Sequence, residues 1–179
     1  MHELIIVGER KFLPKSYATI NVVMTIKNII YETVNFIVDA PERPFVDRLE
    51  GGHVRISPKV KTSDRTKLSP ELAKEYMKLS MVVGEAVKTG LQKRGIDIGI
   101  INYQDMGNWA VFDPEGPTMH MHIFGRAITA TKQKYGEAVQ LPKRETGFYE
   151  GFQSLNEGDI AAVQTEIGSL MQTEKYKSF

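Results

Sequence analysis

The chain has 179 residues and no cysteine, and its 23 basic against 22 acidic residues leave a formal net charge of +1. That balance provides no field to draw a nucleic acid or a membrane surface, and the missing cysteine excludes disulfides, thiolate metal sites and cysteine nucleophiles. The length suits a domain with a real core. No run reaches the ~18 to 20 apolar residues of a membrane span, so a cytoplasmic protein is expected.

In chain order, LIIVG (4–8) and TINVVMTI (19–26) are rich in β-branched residues and read as strands. IIYETVNFIVDAP (29–41) reads as a strand pair or one long bent strand ended by Pro41. PERPF then breaks regular structure, because each proline removes a donor and restricts the residue before it. GHVRISPK (52–59) sets Val54 and Ile56 against Arg55 and Ser57, the pattern of a half-buried strand.

The strongest helix starts at Ser69, an N-cap residue, with Pro70 at the first helical position and Glu71 where the dipole favours negative charge. Leu72, Tyr76, Leu79, Val83, Val87 and Leu91 form one apolar stripe. Lys93 and Arg94 complement its far end, and Gly95 suits a left-handed C-cap.

IDIGIINY (96–103) reads as a strand, QDMGNWAVFDPEG as a loop, and TMHMHIFGRA as the next strand. Near the end, 156–172 places Ile160, Val163, Ile167, Leu170 and Met171 on one helical face. Strands on both sides of one long helix predict an α+β fold with a mostly antiparallel sheet and a C-terminal helix.

The pair in PTMHMHIFGR carries the chemistry. Residues two apart on a strand share a face, so Thr118, His120 and His122 point one way and Met119, Met121 and Ile123 the other. A solvated polar face is the plain reading. A metal site is a second, with His53, Asp39 or Asp113 completing the ligands. Nucleophilic attack on phosphorus is a third, because imidazole is largely unprotonated at neutral pH and forms covalent intermediates.

PTMHMHIFGR resembles the signature strand of the histidine-triad superfamily, with Thr118 at the first histidine position, His120 at the second and His122 at the third. NFIVDAPERPFVDRLEGGHVRISPK is similar to that superfamily's upstream stretch, an apolar strand ending in Asp, a proline loop and then Gly-His. The helix from Pro70 occupies the family's place between these blocks, and IGIIN resembles its penultimate strand. The match runs over roughly 29–127.

The resemblance implies that His120 is a nucleophile forming a nucleotidyl-imidazole, that His122 stabilises the phosphate oxygens, and that His53 supports His120 from the neighbouring strand. It implies that Asp39 accepts from ribose hydroxyls. Asn102 donates to phosphate, with Gln104 the alternative if the strand ends one pair later. Ile37 or Phe36 walls a base pocket, and Trp109 either stacks on a base or leaving group or anchors its own loop. Arg126 reads as a surface arginine, with a phosphate contact as its alternative.

No metal or other cofactor is required by that route, although magnesium can accompany a polyphosphate. The implied partners are a small-molecule nucleotide and a second copy of the chain in a homodimer, with no nucleic acid and no membrane. Residues 1–130 would form the catalytic domain, and 131–179 an extension with a helix packed on the same domain.

The departures from the family pattern are Thr118 in place of a histidine, which cannot carry a proton near neutral pH, and MGNWAVFDPEG in place of the usual Gly-Gln-(Ser/Thr)-Val run. They keep two alternatives open, a non-catalytic nucleotide-binding module and a metal-dependent enzyme using the His-x-His pair.

Overall fold

A computed structural model of the chain describes residues 28–105 and 110–179. The strands read at 4–8 and 19–26 lie outside these residues, as does Trp109. Among the described residues, the strands are β1 (Ile29–Glu32), β2 (Phe36–Asp39), β3 (His53–Pro58), β4 (Ile98–Asp105) and β5 (Met121–Ala127). They form one five-stranded sheet, antiparallel throughout, in the order β1-β2-β3-β5-β4. Helix α1 (Pro70–Lys93) connects β3 to β4, and α2 (Glu157–Met171) and α3 (Glu174–Lys177) follow β5. This is the expected α+β class.

The run 29–41 resolves into the hairpin β1–β2. Its turn is closed by Thr33, whose Oγ1 accepts the backbone N–H groups of Asn35 and Phe36 at 3.1 and 2.9 Å, a side-chain imitation of a backbone turn. Alternation then decides the faces. Phe36 and Val38 on β2, and Val54 and Ile56 on β3, are fully buried against α1 and its neighbours.

Helix α1 begins as its sequence dictates. The Ser69 side chain accepts from Leu72 N–H at 3.3 Å, Pro70 opens the helix, and Gly95 adopts φ +81° just beyond the Arg94 cap. Burial is wider than one stripe, because Val82, Ala86 and Gly90 are covered as well as Leu79, Val83, Val87 and Leu91. The second side is taken by α2, where Val163 and Ile167 join the same core and Ile160, Leu170 and Met171 pack at its edge. A Cβ at Gly90 would stand 3.1 Å from the Val163 backbone nitrogen, so glycine sets how closely these helices cross. Asp159, wholly buried at the start of α2, is held by Arg48 at 2.8 Å and Arg94 at 3.3 Å and completes a capping box with Asn156.

The segment between β5 and α2 holds no strand or α-helix and wraps the sheet face opposite α1. Glu50 accepts the consecutive backbone N–H groups of Thr131, Lys132 and Gln133 at 2.8, 2.7 and 2.9 Å. Arg126 is not the surface arginine expected. It is 3% exposed and donates to the Gln133, Lys134 and Glu137 carbonyls at 3.1, 2.7 and 3.1 Å. Beneath this strap, Phe45, Val46 and Phe124 form a second apolar cluster with Val139, Leu141 and Tyr149, each buried ring contributing about 1.5–3 kcal/mol of transfer free energy.

Candidate active site

Strand register brings the polar side chains together. Asp39 on β2 lies opposite Arg55 on β3, Arg55 opposite His122 on β5, and His122 opposite Gln104 on β4. One continuous row therefore crosses the sheet on the face away from α1, because directly paired residues point the same way. A second row on that face holds His53, Phe124 and Asn102. Ile37 shares the face with Asp39, whereas Phe36 points the other way and packs on Tyr76 with ring centroids 5.5 Å apart. Of the two candidates for the pocket wall, only Ile37 is on the right side.

The paired part of the signature strand is shorter than its alternation suggested, beginning at Met121 rather than Thr118. His120 stands just ahead of the ladder, with its ring 4.7 Å from that of His122 at a near-perpendicular angle. Strand β4 extends two residues beyond the expected end, to Asp105, which carries Gln104 into the His122 row. The Gln104 Oε1 is buried without a hydrogen-bond partner among the described residues. Asn102 Oδ1 accepts from Arg126 at 2.8 Å, leaving its amide N–H groups as donors.

Backbone groups assign the protons on the imidazoles. The Phe45 N–H donates to His53 Nδ1 at 3.2 Å, so neutral His53 carries its proton on Nε2. That nitrogen lies 2.8 Å from His122 Nδ1 and donates to it, which leaves the His122 proton on Nε2. His53 thus supports His122 and not His120, correcting the expected pairing. The difference follows from register, since His53 and His122 come from adjacent paired positions of β3 and β5. His120 Nδ1 donates instead to the Thr118 carbonyl at 2.8 Å, so its Nε2 lone pair is free. Thr118 therefore takes part through its backbone oxygen.

The surroundings keep the cluster uncharged. Phe45 stacks on His53 at 5.4 Å and meets His122 edge-on at 5.5 Å, while Phe124 stacks on His122 at 5.6 Å. Burial, with the neighbouring His120 and Arg55, pushes His122 down to about 3. Burial lowers His53 well below the ordinary imidazole value, helped by the charges of His122, Arg55 and Arg144. His120 is also lowered, chiefly by burial, with the Thr118 carbonyl opposing. The site is a set of neutral rings with one free nucleophilic nitrogen.

Asp39 does not offer the free carboxylate expected of it. Its oxygens accept from Arg55 at 3.1 and 2.8 Å in a bidentate pair. Arg55 is the site residue that the sequence reading missed. Its signal was present in GHVRISPK, where it lies two residues from His53 on the same face. Among the described residues no group of three or more acidic or histidine side chains is arranged to hold a metal ion, and the proposed ligands Asp39 and His53 are bonded to Arg55 and His122.

A sheet backed by one long helix, with imidazoles at His120 and His122 at the start of its fourth strand in spatial order, defines a histidine-triad-type protein. The chain belongs to the HIT domain family, whose model matches residues 27–129. It shares its fold with a HIT-like protein from Bartonella henselae involved in cell-cycle regulation, at 16% identity and a TM-score of 0.52, over 77% of this chain and 85% of that one. A hypothetical histidine triad nucleotide-binding protein from Sulfolobus tokodaii gives the same identity of 16% and TM-score of 0.52, over 80% of this chain and 85% of that one. A uridylyltransferase mutant matches at 15% identity and a TM-score of 0.50, over 80% of this chain and 44% of that one. No curated protein matches the chain.

Proposed function

We propose that the chain hydrolyses or transfers nucleoside monophosphoryl groups through a nucleotidyl intermediate on His120 Nε2. The observation that carries this reading is the hydrogen bond from His120 Nδ1 to the Thr118 carbonyl, which commits one ring nitrogen and frees the other. The Nε2 lone pair attacks the α-phosphorus, a P–N bond forms, and the bond to the leaving group breaks with its electrons. The His122 Nε2–H donates to a phosphoryl oxygen as charge develops there. Water or an acceptor hydroxyl then attacks phosphorus, returns the electron pair to Nε2 and releases the nucleoside monophosphate or its ester.

Family membership supports a nucleotide as the ligand, and the nucleotide-binding and nucleotidyl-transferring neighbours agree with it. Thr118 in place of a histidine does not remove the carbonyl that orients His120, so the substitution is compatible with turnover. Magnesium would accompany only a polyphosphate substrate. A homodimer belongs to the same reading, to be checked by light scattering.

Intact-mass measurement after mixing the protein with adenosine 5′-phosphoramidate, a dinucleoside polyphosphate or a nucleotide sugar tests the reading. A nucleotidyl adduct is expected on the wild type and absent from His120→Ala, with turnover lower by roughly 10³-fold or more. Equal turnover by both proteins would sink it. A non-catalytic binding module is the second reading, favoured by the engagement of Asp39 with Arg55. Nucleotide binding with neither adduct nor turnover would establish it.

A further inference from the structure

The proposed chemistry leaves one charged side chain beside the imidazoles without a task, that of Arg55. Its Nε and one terminal nitrogen donate to Asp39 at 3.1 and 2.8 Å. The two partners differ in what they present to solvent. The Asp39 side chain is 3% exposed and that of Arg55 34%. A ligand approaching this end of the row therefore meets the guanidinium, with the carboxylate beneath it.

A guanidinium carries five N–H donors, and Asp39 uses two of them. The other three have no protein partner among the described residues. The bidentate clamp fixes the plane of the group, so little rotamer entropy remains to be lost when those donors meet a ligand. Arg55 is directly opposite His122 in the ladder, and its charge acts on both His120 and His122, so the cationic side chain borders the imidazole assigned to the phosphoryl oxygens. An ion pair with a purely structural task does not require its cation to border the reactive row.

Resting on the reading of His120 as nucleotidyl carrier, we propose that Arg55 is a specificity-determining residue. It holds a second anionic group beside the reacting phosphorus, the neighbouring phosphate of a nucleoside di- or polyphosphate. A phosphoanhydride brings its leaving group's charge to this point, and planar guanidinium donors match phosphate oxygens in pairs. A phosphoramidate with an amine leaving group brings no such charge and makes no use of Arg55. The site is thereby biased toward anhydride substrates.

Calorimetric titration of the full chain with ADP, AMP and adenosine tests this. Arg55→Gln is expected to weaken ADP by about 10- to 100-fold, as for a lost charge-assisted hydrogen bond, to weaken AMP less, and to leave adenosine within about twofold. Arg55→Lys recovers part of the ADP affinity. Because Arg55→Gln strands the buried Asp39, the double variant Asp39→Asn with Arg55→Gln repeats the measurement with a neutral amide pair. Unchanged ADP affinity in both variants overturns the proposal, and so does an equal loss for ADP and adenosine. Arg55-dependent ADP binding by a wild type that forms no adduct supports the role of Arg55 and overturns the carrier reading alone.

Discussion

His53 Nε2 lies 2.8 Å from His122 Nδ1, and the Phe45 N–H on the far side of the His53 ring fixes which of them carries the proton. The relay runs from a backbone amide through two neutral rings to the His122 Nε2–H, the donor of the proposed chemistry. No step needs a charged imidazole, so the donor is set before any ligand arrives.

Replacing His53 by Phe keeps a ring of similar volume and removes the proton that His122 Nδ1 accepts. His122 is then free to place its own proton on Nδ1, pointing its bare nitrogen at the phosphate. The expected result is a loss of about 10²- to 10³-fold in kcat, the range for a lost hydrogen-bond donor to developing charge, with little change in KM. Nitrogen-15 chemical shifts of the ring should report the change of tautomer directly.

Thr118 acts through its carbonyl, and every residue has one. Thr118→Val should therefore keep kcat/KM within about threefold of wild type, as should Thr118→Ala. A large loss in both variants, measured under single-turnover conditions, would show that the hydroxyl itself takes part.

The imidazoles should also make stability depend on pH. His122 titrates near 3 in the folded chain against an ordinary value of 6.5, and His53 is shifted the same way. Below pH 6.5 the unfolded chain gains protons that the folded chain refuses, so stability is full above that value and is lost as pH falls toward 3. Urea midpoints should decline across this window and decline less in His122→Phe. A midpoint that stays level on acidification would contradict the neutral cluster.

Arg126 holds the strap by three carbonyls and Asn102 by a fourth bond. Arg126→Met fills similar space and leaves those acceptors unpaired, each costing about 1–3 kcal/mol where no water reaches it. Limited proteolysis should then cut between 131 and 140 faster than in the wild type. Turnover should fall with strap release, because Phe45, whose N–H sets the His53 tautomer, packs beneath it.

Much of this arrangement is written locally in the sequence. Ser69, Pro70 and Gly95 mark the ends of α1 through rules that act within a turn, and the period of two around His120 and His122 places both on one face. The Asp39–Arg55 pair was harder to see, because it depends on the register of two strands sixteen residues apart in numbering. The role of Arg126 was hidden for a different reason. Its partners lie in a segment without periodicity, ordered by Glu50, Arg126 and Gln133 seizing backbone groups one at a time. Such capture leaves no repeating pattern to read.

Gly51 and Gly125 meet backbone to backbone, and a methyl on either would fall 2.1 Å from the other's carbonyl oxygen. This contact anchors the strand carrying His122 against the turn that precedes His53. The distance between those two imidazoles is therefore governed by a pair of positions with no side chain at all. Drift elsewhere around the cluster can be absorbed by rotamers, but a single added carbon here would move one ring relative to the other and break the proton chain without touching either histidine.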